Sequence, residues 1–238
     1  SGRGDAGEVI GRKELPPPHD DRPEAPLASR RHVHLQRGRT GFVIDDDLWF
    51  GNTGERKPLP AERAGASLRE LFAMAAYNLG QVLGPGAEDA IRTHLGDPTR
   101  FAHYVQPCRI DGRLHAWEWI ETVDGTLLKT DALDHHAAHD LVGPQDIAWD
   151  IAGAAVEFAL APNLRDELAL RVSGATGRTL SNAFLDATTL CYLGFQLGLW
   201  TFALGRAAPS DRSGIDSLLA RYAAHPALLP FRSDSAPA

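Results

Sequence analysis

The segment 129-KTDALDHHAAHDLVGPQDIAWDIAGAAVEF-158 joins two opposed patterns. Its first half is dense in aspartate and histidine. Its second half is apolar on nearly every side, through Ile147, Ile151, Ala154, Val156 and Phe158, yet it keeps Asp150. A helix that is apolar all round belongs inside a core. A carboxylate persists there only when it is paired or hydrogen-bonded. The segment therefore predicts a buried helix entered from a polar loop, with Asp150 paired or hydrogen-bonded inside it.

Upstream, 115-HAWEWIETV-DG-TLLKTD-131 alternates between apolar and polar residues in two runs. Asp124-Gly125 between them favours the positive-φ geometry of a two-residue turn, so a β-hairpin ending at Asp131 is predicted. The alternation sets Trp117 and Trp119 as packing residues and puts Lys129 on the same face as Asp131. Downstream of Pro144 everything reads helical, over 146–160, 164–172, 179–206 and 214–224.

Nearer the N-terminus, Ser67 and Glu70 have capping-box spacing ahead of an apolar stripe of Leu68, Leu71, Phe72, Ala75, Leu79 and Val82. Gly84-Pro85-Gly86 ends that helix, and a shorter one follows over 87–95. Residues 32–44 alternate around Arg37-Gly38-Arg39 as a second hairpin. The stretch 45–60 is turn-rich, and its Gly51-Asn52-Thr53-Gly54 reads as a plain turn. Residues 1–31, with Pro16-Pro17-Pro18 and many charges, read as an extended or disordered arm. The fold class is α+β, mainly α, with a hairpin before a helical bundle. The arm is followed by a small mixed region over 32–110 and a helical lobe over 111–238.

Composition narrows the function. With 43% hydrophobic and 23% charged residues the chain can bury a core, and its net charge of −7 disfavours nucleic acid as a partner. Cys108 and Cys191 are too few for a disulfide scaffold, and the first residues are charged rather than apolar, so a cytoplasmic setting is expected. The uncharged run 188-TTLCYLGFQLGLWTFALG-205 contains Gln196 and several glycines, and reads as a buried bundle helix rather than a membrane span. Oligomeric state has no signature.

The order of loop, hairpin ending in Asp131, polar loop and buried helix with Asp150 resembles the C-terminal lobe of the aminoglycoside phosphotransferase and choline-kinase-like branch of the protein-kinase-like superfamily. In that family a catalytic loop H-G-D-x-H-x-x-N precedes the hairpin, and a D-P-x-x-D-L-A segment follows it. Here 111-DGRLHAWEW-119, 128-LKTD-131 and 145-QDIAWDIAG-153 stand at those places. The resemblance covers roughly 105–207. It implies a small-molecule phosphotransferase using ATP or GTP with Mg²⁺. Asp131 and Glu118 would hold the metal, Asp111 or Arg113 would contact the phosphoryl group or the acceptor hydroxyl, and Asp150 would accept backbone N–H bonds from the catalytic loop.

The chain departs from that pattern at two points. Arg113 stands where the family has its catalytic Asp, and an arginine does not accept a proton. Lysine occurs only at Lys13, Lys57 and Lys129, and the upstream region has neither the glycine loop nor the strand lysine that the family uses for nucleotide phosphates. A catalytically silent, kinase-like binding or regulatory protein is therefore a second expectation. A third comes from 134-DHHAAHD-140. Its His135 or His136 with His139 and Asp140 have helical metal-ligand spacing, which would make a metalloenzyme. The same residues echo the H-H-x-x-x-D acyltransferase motif. On the kinase-like reading Asp134, His135, His139 and Asp140 border the cleft as substrate or supporting residues, and the plainest reading is a solvated loop capping the next helix.

Overall fold

The structure is a computed structural model of the 238-residue chain. It describes residues 58–60, 63–108, 110–120, 123 and 142–232 in full, and the backbone alone of 35–38, 41–44, 121 and 127–129. Residues 1–31, read as an arm, and 45–57 lie outside the described residues.

The described residues are mainly helical, with two short antiparallel hairpins. Strands β1 (Leu35–Gly38) and β2 (Gly41–Ile44) pair as one hairpin, and β3 (Trp119–Glu121) and β4 (Leu127–Lys129) as the other. Helix α1 (Leu68–Leu83) opens on a complete capping box. Ser67 Oγ accepts the N–H of Glu70, and the Glu70 carboxylate accepts the N–H of Ser67 at 2.8 Å. The Ser67 hydroxyl, donating to the same carboxylate at 2.7 Å, and then the Ser67 N–H hold the exposed Glu70 carboxyl below its ordinary range. The stripe buries Leu71, Phe72, Ala75 and Leu79, while Val82 in the last turn stays 38% exposed. Helix α2 (Ala87–Leu95) folds back on α1.

Four helices follow: α3 (Ala148–Glu157), α4 (Pro162–Thr176), α5 (Asn182–Arg206) and α6 (Arg212–Ala223). Every residue of α3 is buried, because α5 covers one side and α4 another. Helix α5 is the axis of the bundle, packed by α1, α3 and α6. It is long and apolar enough to cross a membrane over 182–204, and 56% of its most apolar window is buried inside this bundle.

Small residues set how closely these helices approach. A Cβ on Gly194 would lie 2.7 Å from the Cα of Ala75, and Asn78 Nδ2 donates to the Gly194 carbonyl at 3.0 Å. At the far end of α3, the buried Glu157 carboxylate accepts from the hydroxyls of Tyr192 (2.9 Å) and Tyr222 (2.6 Å) and from Arg221 (2.7 Å). Burial, reinforced by the Glu157 charge, pushes both phenols well above their ordinary range, so they remain donors.

The second hairpin differs from expectation in two ways. Residues 116–118 form a 3₁₀ turn closed by the Glu118 N–H on the His115 carbonyl at 2.9 Å, so the strand begins only at Trp119. A 3₁₀ turn brings residues i and i+3 onto one side, which unites His115 and Glu118 and leaves Trp117 51% exposed. The register pairs Trp119 with Lys129 and Glu121 with Leu127. That leaves an odd-length connection over 122–126, where a two-residue turn on Asp124-Gly125 needs the opposite parity.

Replacing Gly194 by Val should lower stability to chemical denaturation by about 3 kcal/mol, since the added carbons meet backbone rather than a side chain that can turn away. A change under about 0.5 kcal/mol, the size of an ordinary surface substitution, would mean that α1 and α5 are not in such close contact.

Candidate functional site

The site is built on the loop 110–118, which runs across the start of α3. Ile110 and Leu114 sink into the core at 2% and 6% exposure. Between them the backbone bends toward Asp150, which is itself 1% exposed. The N–H of Asp111 donates to Asp150 Oδ2 and that of Gly112 to Asp150 Oδ1, both at 2.9 Å. Trp149 Nε1 donates to the Gly112 carbonyl at 3.3 Å. Two successive N–H groups can converge on one carboxylate only if the chain turns sharply, and Gly112 supplies that turn with φ +77. Each carboxylate oxygen thus meets a backbone donor, which offsets the cost of burying its charge.

Asp150 is one of four anchors in the segment 145–150. The Gln145 side chain donates to the carbonyls of Ala66 and Val142 at 2.8 and 2.7 Å, and its own carbonyl accepts the N–H of Cys108. Asp146 Oδ1 accepts the Ala148 N–H at 2.9 Å, satisfying a donor in the first turn of α3. Its Oδ2 accepts the Gln106 N–H at 2.8 Å and pairs with Arg178 from the loop between α4 and α5. Arg178 also bonds the Tyr104 carbonyl at 2.9 Å. Gln145, Asp146, Trp149 and Asp150 together hold the backbone of Gln106, Cys108, Asp111 and Gly112.

Past the anchor, Asp111 Oδ1 accepts the N–H of Arg113 at 3.3 Å, and Arg113 itself is half-buried. His115, 4% exposed, lies between two oxygens: Nδ1 is 3.3 Å from Glu118 Oε1, and Nε2 is 3.2 Å from Gln196 Oε1 on α5. The Trp117 ring stacks on His115 with centroids 4.3 Å apart, and Trp200 meets both rings edge-on. Trp119 packs edge-on against Phe158 at 5.5 Å.

Of the residues expected from sequence, Asp111, Arg113, Glu118 and Asp150 lie on or against this one loop. Asp131, Asp134, His135, His139 and Asp140 lie outside the described residues. The register brings Lys129 opposite Trp119, the residue after Glu118. Among the described residues no group of three or more His, Cys, Asp or Glu is arranged to hold a metal. Of the two residues expected to hold metal, Glu118 is the one described, and it stands on a closed 3₁₀ turn. An oxygen donor of this kind suits Mg²⁺, which takes few protein ligands and completes its shell with water and phosphate. The Arg113 guanidinium has the chemistry for a phosphate group.

Sequence reading missed His115, Gln196, Asp146 and Arg178 as partners. His115 and Glu118 had only an i, i+3 spacing inside a run that alternates like a strand. Asp146 lies two residues before α3 and Asp150 in its first turn, so two acids at the entry to an apolar helix were the visible sign that carboxylates are held there. Nothing local pointed to Gln196 or Arg178.

Asp150→Ala should cost about 3 kcal/mol in urea unfolding, because it leaves two buried N–H groups without an acceptor. A loss within about 0.5 kcal/mol, typical of a surface site, would show that the loop does not depend on this carboxylate. Comparison with family models, with curated protein sequences and with solved structures finds no match to this chain.

Proposed function

We propose that the chain is a kinase-like small-molecule phosphotransferase that uses ATP or GTP with Mg²⁺. The observation that carries this reading is the pair of bonds from the N–H groups of Asp111 and Gly112 to the buried Asp150 carboxylate. Phosphoryl transfer asks little covalent chemistry of the protein; it asks for groups held in place around phosphate and metal. A loop bonded to the core through its own backbone sets residues 111, 113 and 118 at fixed places across the start of α3, so their arrangement need not be built by a ligand. The bound nucleotide and Mg²⁺ would supply the electrophilic phosphorus and the charge that offsets its oxygens.

Within that reading each residue has a distinct task. Glu118 and Asp131 hold the cation. Arg113 binds the transferring phosphoryl group, for which its planar fork is well shaped. Asp111 faces the acceptor hydroxyl. Cys191 takes no part, since burial pushes its thiol far above the ordinary range. Cys108 is buried as well, with its thiol donating to the Gln145 carbonyl at 3.5 Å.

One observation favours a second reading, a catalytically silent binding or regulatory module of the same fold. Asp111 turns an oxygen back onto the N–H of Arg113, and Arg113 occupies the place where a proton acceptor would be needed. Such a protein would bind nucleotide and not turn it over.

Thermal-shift titration separates these outcomes, because a ligand that binds the folded state raises its melting temperature. The expected result is stabilisation by ATP or GTP that requires Mg²⁺ and disappears in Asp131→Ala, accompanied by slow release of nucleoside diphosphate. Stabilisation without release selects the silent module. Stabilisation by Zn²⁺ alone would instead favour the 134–140 cluster, and no response to nucleotide with Mg²⁺ would overturn both kinase-like readings.

A further inference from the structure

Helix α6 rests on the bundle by a narrow footing. Of its 12 residues Tyr222 alone is buried, with Leu218, Leu219 and Ala223 half-buried against the core. In α3, by contrast, every residue is buried. The deepest point of that footing is polar, because the Tyr222 hydroxyl ends on the Glu157 carboxylate at 2.6 Å and Arg221 beside it reaches the same group at 2.7 Å. We infer that α6 is a strap that opens and closes by itself, latched at Glu157, while α3 and α5 stay folded. The inference does not depend on the chemistry at residues 110–118.

The latch is built so that opening breaks little and leaves a sound surface behind. Glu157 takes three donors, and two of them, Tyr222 and Arg221, leave with α6. The third, the Tyr192 hydroxyl on α5 at 2.9 Å, remains in place. Water replaces the departing donors on a carboxylate that opening exposes, so these bonds fix where α6 sits and add little to its net stability. The Arg221 side chain is already 40% exposed, which gives water its way in. Both ends of the strap stay fixed. Helix α5 leads into it through residues 207–211, and beyond it Leu228 and Phe231 are buried, with the Phe231 ring edge-on to His94 of α2 at 5.2 Å. An exposed helix with few buried apolar groups belongs to the part of a fold that opens at lower free energy than its core. Opening uncovers Glu157 and Tyr192, an acid and a phenol that the closed strap keeps from solvent.

The test is native-state hydrogen exchange of the full chain, read by mass spectrometry on peptides from α3, α5 and α6, with circular dichroism to verify folding of each variant. In wild type the amides of α6 should exchange at least about tenfold faster than those of α3. Tyr222→Phe and Arg221→Met each remove one tie to Glu157 and should speed α6 exchange by up to about tenfold. Asp150→Asn weakens the bundle away from the strap. It should speed exchange in α3 about tenfold and leave α6 unchanged, because the strap opens without breaking that contact. Gly194→Ala, which crowds Ala75 of α1, takes its place if Asp150→Asn does not fold. Wild-type α6 that exchanges no faster than α3, or a bundle variant that speeds α6 as much as α3, would show that α6 opens only with the whole bundle and would overturn the strap. Faster wild-type exchange in α6 that neither Tyr222→Phe nor Arg221→Met alters would overturn Glu157 as its latch.

Discussion

A charge buried in a protein interior needs partners that cannot leave, and Asp150 meets that requirement with the backbone itself. Its two oxygens take the N–H groups of Asp111 and Gly112 at 2.9 Å, deep in a helix whose every residue is buried. Neither partner is a side chain that could be traded for water, so the loop and the helix are fixed by one another. The Asp111-Gly112 backbone satisfies this constraint with a positive φ at Gly112, a conformation that glycine adopts without steric penalty. The rest of the site takes its geometry from there. Arg113, His115 and Glu118 follow the bend in order, and the hairpin begins where the 3₁₀ turn ends.

The anchor is set in a helix packed against α4 and α5. Close approach of α1 and α5 at Ala75 and Gly194, of α3 and α5 at Gly153 and Tyr192, and the Glu157 carboxylate with its tyrosines tie both ends of α3 into the bundle. The segment 145–150 then distributes the load over Gln145, Asp146, Trp149 and Asp150. Such a network couples loop geometry to core packing, and substitutions in it should not be additive, since its members share partners.

Much of this was legible in the sequence. The capping box and stripe of α1, the buried character of α3, the long α5 with its uncharged run 188–205 and the presence of a hairpin before them follow from local periodicity, which the structure respects to within a few residues. Asp150 stood out because an isolated acid on an apolar helix must have a partner. The partner's identity was suggested by family resemblance and not by any local rule. The turn at 116–118 was hidden, because His-Ala-Trp-Glu-Trp alternates as a strand would, and only the contact of His115 with Gln196, far away in the chain, shows why a turn is preferred there. Hairpin register was misjudged for a related reason: a favourable Asp-Gly turn is a local preference, and pairing parity is set by both strands. Asp131 and the acidic, histidine-rich loop lie outside the described residues, so their reading still rests on sequence alone.

The most direct test of the account is nuclear magnetic resonance detection of scalar coupling across hydrogen bonds, from the amide nitrogens of Asp111 and Gly112 to the side-chain carboxyl carbon of Asp150. The account predicts a resolvable cross-peak for each amide. Amides of Asp111 and Gly112 that show no coupling to Asp150 and exchange with solvent like an open loop would contradict it.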